Sequence, residues 1–388
     1  MFKETSKELL NFLSKSPTAF HAVENYRQIL NADGFKELLE SEHWDIVPGG
    51  KYYVTRNNTS ILAFKVGTKL DNYSFNIVTS HTDSPTFKVK ENAEIEVKNK
   101  YTQLNTEGYG GMLCATWLDR PLSIAGRVLV SEGNSIVTKL LNIDRDLLMI
   151  PNVAIHMNRA ANDGFKYNLQ VDMLPLLSAG DDRQKDFKQI IADELGVKKE
   201  DILGHDLYLY NRMAPSIWGA NEEFISAGHL DDLQCGFASL KALLAGYNDE
   251  SIDIMACFDN EEVGSGTKQG ADSTLLRDTL IRINNALGKT EEDYHRALAS
   301  SFMLSADNAH AVHPNHPEHT DATNCTYMNE GVVVKSHAGQ KYTSDGVSMA
   351  VVKSLASGAD VPLQYFANRS DKAGGSTLGN IAMAQASM

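Results

Sequence analysis

Three apolar runs of strand length each end on a side chain that can bind a metal ion, and that recurrence constrains this chain more than any other feature. Ile252-Asp253-Ile254-Met255-Ala256-Cys257-Phe258 leads into Asp259-Asn260-Glu261-Glu262-Val263-Gly264-Ser265; Tyr73 to Ser80 leads into His81-Thr82-Asp83; Ser301 to Ala306 leads into Asp307. Carboxyl ends of strands are where open α/β sheets bind ligands, and neighbouring side chains there point different ways. One glutamate of the Glu261-Glu262 pair can therefore hold a metal while the other reaches a water. An isolated Glu-Glu pair would be charged surface; the company of His81, Asp231 and Asp307 argues otherwise.

Asp231, in Gly228-His229-Leu230-Asp231-Asp232-Leu233, precedes the amphipathic pattern Cys235, Phe237, Leu240, Leu243, Leu244, which sets it at the amino end of a helix. Mixed imidazole and carboxylate donors suit zinc, manganese or cobalt and not a thiolate site. In His81-Thr82-Asp83 the alternation lets His81 bind a metal while Asp83 orients its other ring nitrogen.

Taken in order, Thr5 and Glu8 read as a capping box for a first helix with Leu9, Phe12 and Leu13 on its apolar face. Ser16-Pro17-Thr18 starts a second, through Phe20, Val23, Tyr26 and Leu30 to Gly34. His21 within it reads as a packed or surface histidine. Lys51–Thr55 and Ser60–Val66 read as strands paired across Asn57-Asn58-Thr59. From Lys90 to Ile150 the pattern becomes short alternating runs broken by glycines, with one helix over Lys185–Leu195 and a strand near Asp206–Tyr210. From Glu223 helix and strand alternate again, with helices over Leu233–Ala245, Ser273–Leu287 and Thr290–Ala299, a Ser344 cap on a helix through Leu355, and a strand over Val361–Phe366. The expected fold is an α/β mixed sheet flanked by helices, residues 1–90 with 222–388, carrying an inserted β-rich domain, residues 91–221. The loop at residues 370–379 lacks a Walker lysine and reads as a tight turn opening a helix.

A length of 388 residues with 42% hydrophobic and 22% charged residues suits a soluble two-domain protein. The first thirty residues carry charges throughout, unlike a signal peptide or membrane span. Four scattered cysteines, Cys114, Cys235, Cys257 and Cys325, read as reduced core residues of a cytoplasmic protein. A net charge of −14 argues against nucleic acid and anionic membranes as partners.

His81-Thr82-Asp83-Ser84-Pro85, Leu230-Asp231-Asp232-Leu233, Asp259 to Ser265, and Ser305 to Asn315 resemble the successive signatures of the aspartyl aminopeptidase family. Ser16-Pro17 with Phe20 to Val23, Trp117 to Arg120, Pro151 to His156, and Gly375-Ser376-Thr377 add matches in family order, so the resemblance runs from residue 16 to 379. It implies a zinc-exopeptidase fold, peptide substrates, two divalent ions with zinc as the leading metal, and subunits assembled into a tetrahedral dodecamer.

Residue by residue, the resemblance implies that Asp231 bridges two ions, that His81, Asp307 and Glu262 complete the ligand set, and that Glu261 is the general base. His156 is either a zinc ligand or, the preferred reading, a substrate contact in a neighbouring subunit's active site. Lys335, after Val332-Val333-Val334, is a candidate partner for a substrate carboxylate. His310, His313, His316 and His319 are expected to be mostly loop groups or supports behind the ligands. The leading function is hydrolysis of the N-terminal residue of peptides, with Asp or Glu favoured; a broader or apolar-preferring aminopeptidase is the alternative. The family pattern continues past its Gly-Ser-Thr loop to a final metal-binding histidine, whereas this sequence ends at Met388. Two expectations stay open: the sequence stops short of the protein's end, or the protein lacks a ligand and is a catalytically silent assembly subunit.

Overall fold

The structure, a computed structural model, describes residues 2–180 and 186–388. Two helices, α1 (Phe2–Ser14) and α2 (Ala19–Ala32), precede four strands, β1 (Lys36–Glu37), β2 (Lys51–Arg56), β3 (Ser60–Val66) and β4 (Ser74–His81). Next come β5 (Thr86–Val97), β6 (Tyr101–Tyr109), β7 (Leu122–Glu132), β8 (Ser135–Asn142), α3 (Leu169–Asp172), β9 (Leu176–Ala179), α4 (Phe187–Leu195) and β10 (Ile202–Asn211). Short strands β11 (Ser216–Trp218) and β12 (Phe224–Ser226) lead to α5 (Leu230–Ala245), β13 (Ser251–Phe258), α6 (Leu275–Ala286) and α7 (Glu291–Ala299). The chain then forms β14 (Phe302–Ser305), β15 (Val332–Lys335), α8 (Gly346–Gly358), β16 (Leu363–Phe366) and α9 (Leu378–Ala382).

These elements fall into two compact units. One comprises Met1–Asn25, Asp83–Ser216 and Ile225–His229. Its antiparallel sheet has the order β8-β7-β10-β5-β6-β9. Gly126 on β7 lies opposite Leu207 on β10 with φ +152°, and a Cβ there would stand 2.0 Å from the Asp206 carbonyl oxygen, so only glycine allows this approach. Phe87, Leu104, Leu122, Ile124, Val128 and Leu207 are among the side chains of its core.

The other unit comprises Tyr26–Thr82, Ile217–Phe224 and Leu230–Met388. Its sheet has the order β1-β2-β3-β13-β4-β14, with β13, β4 and β14 mutually parallel and β3 antiparallel to β13. β3 is buried along its whole length and β13 at all but Asp253, as expected for strands covered on both faces. Leu62, Phe64, Phe75, Ile77, Ile254, Phe258, Leu276 and Leu280 pack together at its centre. The carbonyls of Leu244 and Gly246 at the end of α5 accept from the Lys65 ammonium on β3, at 2.8 and 3.0 Å, which ties the helix to the sheet.

Several local expectations shift. Thr5 lies inside α1, because the helix already begins at Phe2, so it is no N-cap. The N-cap of α8 is Asp345 and not Ser344: the Asp345 carboxylate accepts from Ser348 N, and the Ser348 hydroxyl closes the box on Asp345 N. Of the helix expected over Lys185–Leu195, Lys185 lies outside the described residues and α4 begins at Phe187. Among the described residues no helix is long and apolar enough to cross a membrane. All four cysteines are free thiols, but only Cys257 is buried in the core; Cys114, Cys235 and Cys325 are half-buried.

Candidate metal centre

Strand register determines which side chains meet at the carboxyl edge of the parallel strands. Phe258 on β13 pairs with His81 on β4, and Thr82 N donates to Phe258 O at 2.8 Å, so the chain leaving β13 emerges beside His81. Ser305 on β14 pairs with Thr79, and Ala306 N donates to Thr79 O at 2.8 Å. Asp307, two residues on, is therefore level with His81, two residues past Thr79.

After Phe258 the backbone turns sharply. Asn260 and Gly264 both adopt the left-handed conformation, at φ +63° and +96°, and between them Glu261–Val263 form a single 3-10 turn. Asparagine tolerates that conformation when its side chain is bonded locally. Here the Asn260 amide oxygen accepts from Thr267 Oγ1 and Gln269 Nε2, each at 2.8 Å, while Ser265 N donates to Asn260 O at 2.7 Å. The turn thus presents both glutamates on a braced loop. Glu261 is 14% exposed.

Asp231 stands where the sequence expects it. Asp231 and Asp232 have non-helical dihedrals at the head of α5, and the regular helix runs on from there. His81, 2% exposed, brings its Nε2 to 3.3 Å from Asp231 Oδ1 and to 4.0 Å from Glu261 Oε2. Two donors each about 2.0–2.1 Å from a tetrahedral zinc stand roughly 3.3–3.4 Å apart, so the His81–Asp231 spacing fits a shared ion, and the donor chemistry fits zinc. Glu261 lies further off, as a base reaching a water would.

The adjacent carboxylate, Asp232, has no role that the sequence alone assigns. It is fully buried, its Oδ2 accepts from His81 N at 3.1 Å, and its Oδ1 has no hydrogen-bond partner. Burial pushes its carboxyl up, against the opposing pull of His81. It fixes the backbone that carries the imidazole, a role that the Asp231-Asp232 doublet at a strand-facing helix start could have signalled. Nor does the sequence signal Ser60: its hydroxyl oxygen accepts from Asp259 N at 2.9 Å and its own proton goes to Gln269 O at 2.7 Å, anchoring both ends of the glutamate loop.

Lys335, at the end of β15, directs its ammonium to Asp307 Oδ1 at 3.0 Å and Asn308 O at 2.7 Å. In the antiparallel unit, the Asp83 carboxylate accepts from Tyr109 Oη at 2.7 Å. His156, in the same unit, lies on an exposed loop with Val153, Ile155 and Met157. His21 has Nδ1 2.9 Å from Thr18 Oγ1, and burial brings its pKa down to about 4, which makes it a neutral structural group. Of the histidine cluster, His310, His313, His316 and His319 are all exposed loop residues.

The family model for aminopeptidase I zinc metalloproteases (M18) matches residues 12–388. A probable M18 family aminopeptidase 2 from Clostridium novyi (strain NT) is 48% identical over 383 residues, 97% of this chain and 88% of that protein. One from Pseudomonas entomophila (strain L48) is 40% identical, covering 96% and 87%. Among solved structures, the cryo-EM structure of the Ape4 and Nbr1 complex has a chain that superposes with a TM-score of 0.96 at 34% identity, covering 100% of this chain and 79% of that one. The S. cerevesiae mApe1 dodecamer gives 0.86 at 28% identity, covering 99% and 88%. A mixed sheet with imidazole and carboxylates at its carboxyl edge, together with a family match over nearly every residue, identifies this chain as a member of the aminopeptidase I zinc metalloprotease (M18) family and so as a metalloaminopeptidase.

Proposed function

We propose that this protein removes the N-terminal residue of peptides, with aspartate or glutamate favoured there, using two divalent ions held by its own side chains. Zinc is the metal that the donor set fits best, with manganese or cobalt as substitutes. His81, Asp231, Glu262 and Asp307 would hold the ions, with Asp231 serving both. The observation that carries this reading is His81 Nε2 at 3.3 Å from Asp231 Oδ1, with Glu261 Oε2 at 4.0 Å from the same nitrogen.

Bound ions would supply Lewis-acid polarisation of the scissile carbonyl and lower the pKa of the attacking water. Glu261 accepts that water's proton and passes it to the departing amine. Asp232 keeps the His81 backbone in register through its bond to His81 N. Lys335, an ammonium beside Asp307, is the group that would pair with an acidic substrate side chain.

The chain works as a cytoplasmic homo-oligomer, a tetrahedral dodecamer, with residues 91–221 as the oligomerisation domain. Likeness to the mApe1 dodecamer and the exposed apolar side chains of Val153, Ile155 and Met157 around His156 support this reading. His156 then contacts substrate in a neighbouring subunit. Turnover of Asp- and Leu-terminated dipeptides, measured on zinc-loaded protein of known metal content, tests the proposal. Faster cleavage of the Leu substrate would replace the acidic preference with an apolar one, and no turnover at full metal occupancy would overturn the peptidase reading.

A further inference from the structure

The residues His313, His316 and His319 recur every third position along a loop whose backbone is held by its own short bonds. His316 N donates to His313 O at 3.0 Å, His319 N to His316 O at 3.2 Å, and Val312 N to Thr326 O at 2.8 Å. Pro317–His319 form a 3-10 turn with His316 at its N-cap. The rings form a staircase: His313 to His316 and His316 to His319 each have centroids 5.3 Å apart and planes 37° apart.

Glu318 turns its carboxylate into this staircase. Its Oε1 lies 3.0 Å from His316 Nδ1 and 3.9 Å from His319 Nε2, and one ligand atom from each of the three residues lies within 4.8 Å of the others. The nearby Arg369 guanidinium bonds the Glu318 backbone carbonyl and pairs with the Asp371 carboxylate, which leaves the Glu318 side chain facing the imidazoles. Two imidazole nitrogens and one carboxylate oxygen form a donor set that suits zinc, nickel or copper and leaves coordination positions for water. His313 is a poorer donor, because its Nδ1 accepts from Asn315 N at 3.2 Å and its neutral ring then keeps the proton on Nε2.

We propose that His316, Glu318 and His319 form an additional surface site for a zinc-class divalent cation, outside the His81–Asp231 ligand set. Because the three side chains are 57–60% exposed, an ion bound there keeps part of its water shell and exchanges with solvent. The backbone bonds hold the donors within reach before the ion arrives, so little chain ordering opposes binding.

The test is zinc content per chain after equilibrium dialysis of the full-length protein against buffered zinc(II), for the wild type, a His316→Ala/His319→Ala double variant, Glu318→Gln, and His295→Ala as a solvent-histidine control. The double variant should retain one zinc fewer per chain with unchanged peptidase turnover, Glu318→Gln should weaken the extra zinc by at least about tenfold, and His295→Ala should match the wild type. Equal zinc content in wild type and double variant at every free-zinc concentration would overturn the proposal, as would a loss in His295→Ala of the same size. Because the count is of zinc beyond the peptidase centre, failure of this site leaves the His81–Asp231 reading intact.

Discussion

Lys335 and Asp307 form an ion pair, with Nζ 3.0 Å from Oδ1 and side chains only 16% and 15% exposed. A lysine this close to a metal-ligand candidate can stand in for positive charge when the ions are removed and can face a substrate carboxylate when they are bound. Lys335→Met should lower kcat/KM for Asp-terminated substrates by roughly 10- to 100-fold, the loss of one hydrogen bond to a charged group, and for Leu-terminated substrates far less. It should also destabilise the chelator-treated protein more than the zinc-loaded one, because Asp307 is left without a cation only in the former. Equal losses on both substrates would remove Lys335 from substrate recognition.

Glu261→Gln keeps the shape of the turn but removes the carboxylate proposed as the base. Turnover should fall by about 10²–10⁴-fold while zinc content, read by elemental analysis, stays at the wild-type level. Normal turnover in this variant would mean that another group takes the proton.

Metal removal should register in stability as well as activity. His81 and Asp231 approach within 3.3 Å, and an ion held between them would bind only the folded chain. Returning zinc at a hundredfold excess over its dissociation constant should raise unfolding stability by about 2.7 kcal/mol per site. A thermal midpoint indifferent to chelator would count against a centre held by these residues.

In the antiparallel unit, burial tends to raise the Asp206 pKa, yet Lys88 and Arg127, each 2.9 Å from one of its oxygens, hold it below the ordinary value. A depressed folded-state pKa stabilises the fold fully above the unfolded value of about 3.9 and ceases to do so as pH drops through the lower folded value. Asp206→Asn should therefore cost roughly 1–3 kcal/mol in urea unfolding at pH 7. The gap to wild type should narrow on acidification below about pH 4; a gap constant down to pH 2 would mean that the charge contributes nothing.

Gly236 on α5 leaves room for the buried Tyr26 ring: a Cβ would come to 2.2 Å from Tyr26 Oη and 3.4 Å from Ser80 Oγ. Gly236→Ala should destabilise the protein by about 1–3 kcal/mol through overpacking. Because α5 also carries Asp231, zinc affinity should fall along with the melting temperature. A variant that melts normally would show that Tyr26 can move aside.

Much of this protein was legible in its sequence because the cues are local. Apolar runs ending on His81, Glu261 and Asp307 had strand length and strand composition, and β3 occupies Ser60–Val66 as read. The amphipathic pattern after Asp231 set that carboxylate at a helix start, and the successive motifs carried the family. Tertiary structure decided what depends on pairing between segments far apart in the chain. Register of β4 against β13 and β14 aligned His81 with the exits toward Glu261 and Asp307. Asp232 holds His81 across 151 residues of sequence, and Lys335 reaches Asp307 across 28. No periodicity encodes such contacts, because each arises where two surfaces meet, and there one hydrogen bond selects a neighbour that the linear pattern treats as ordinary.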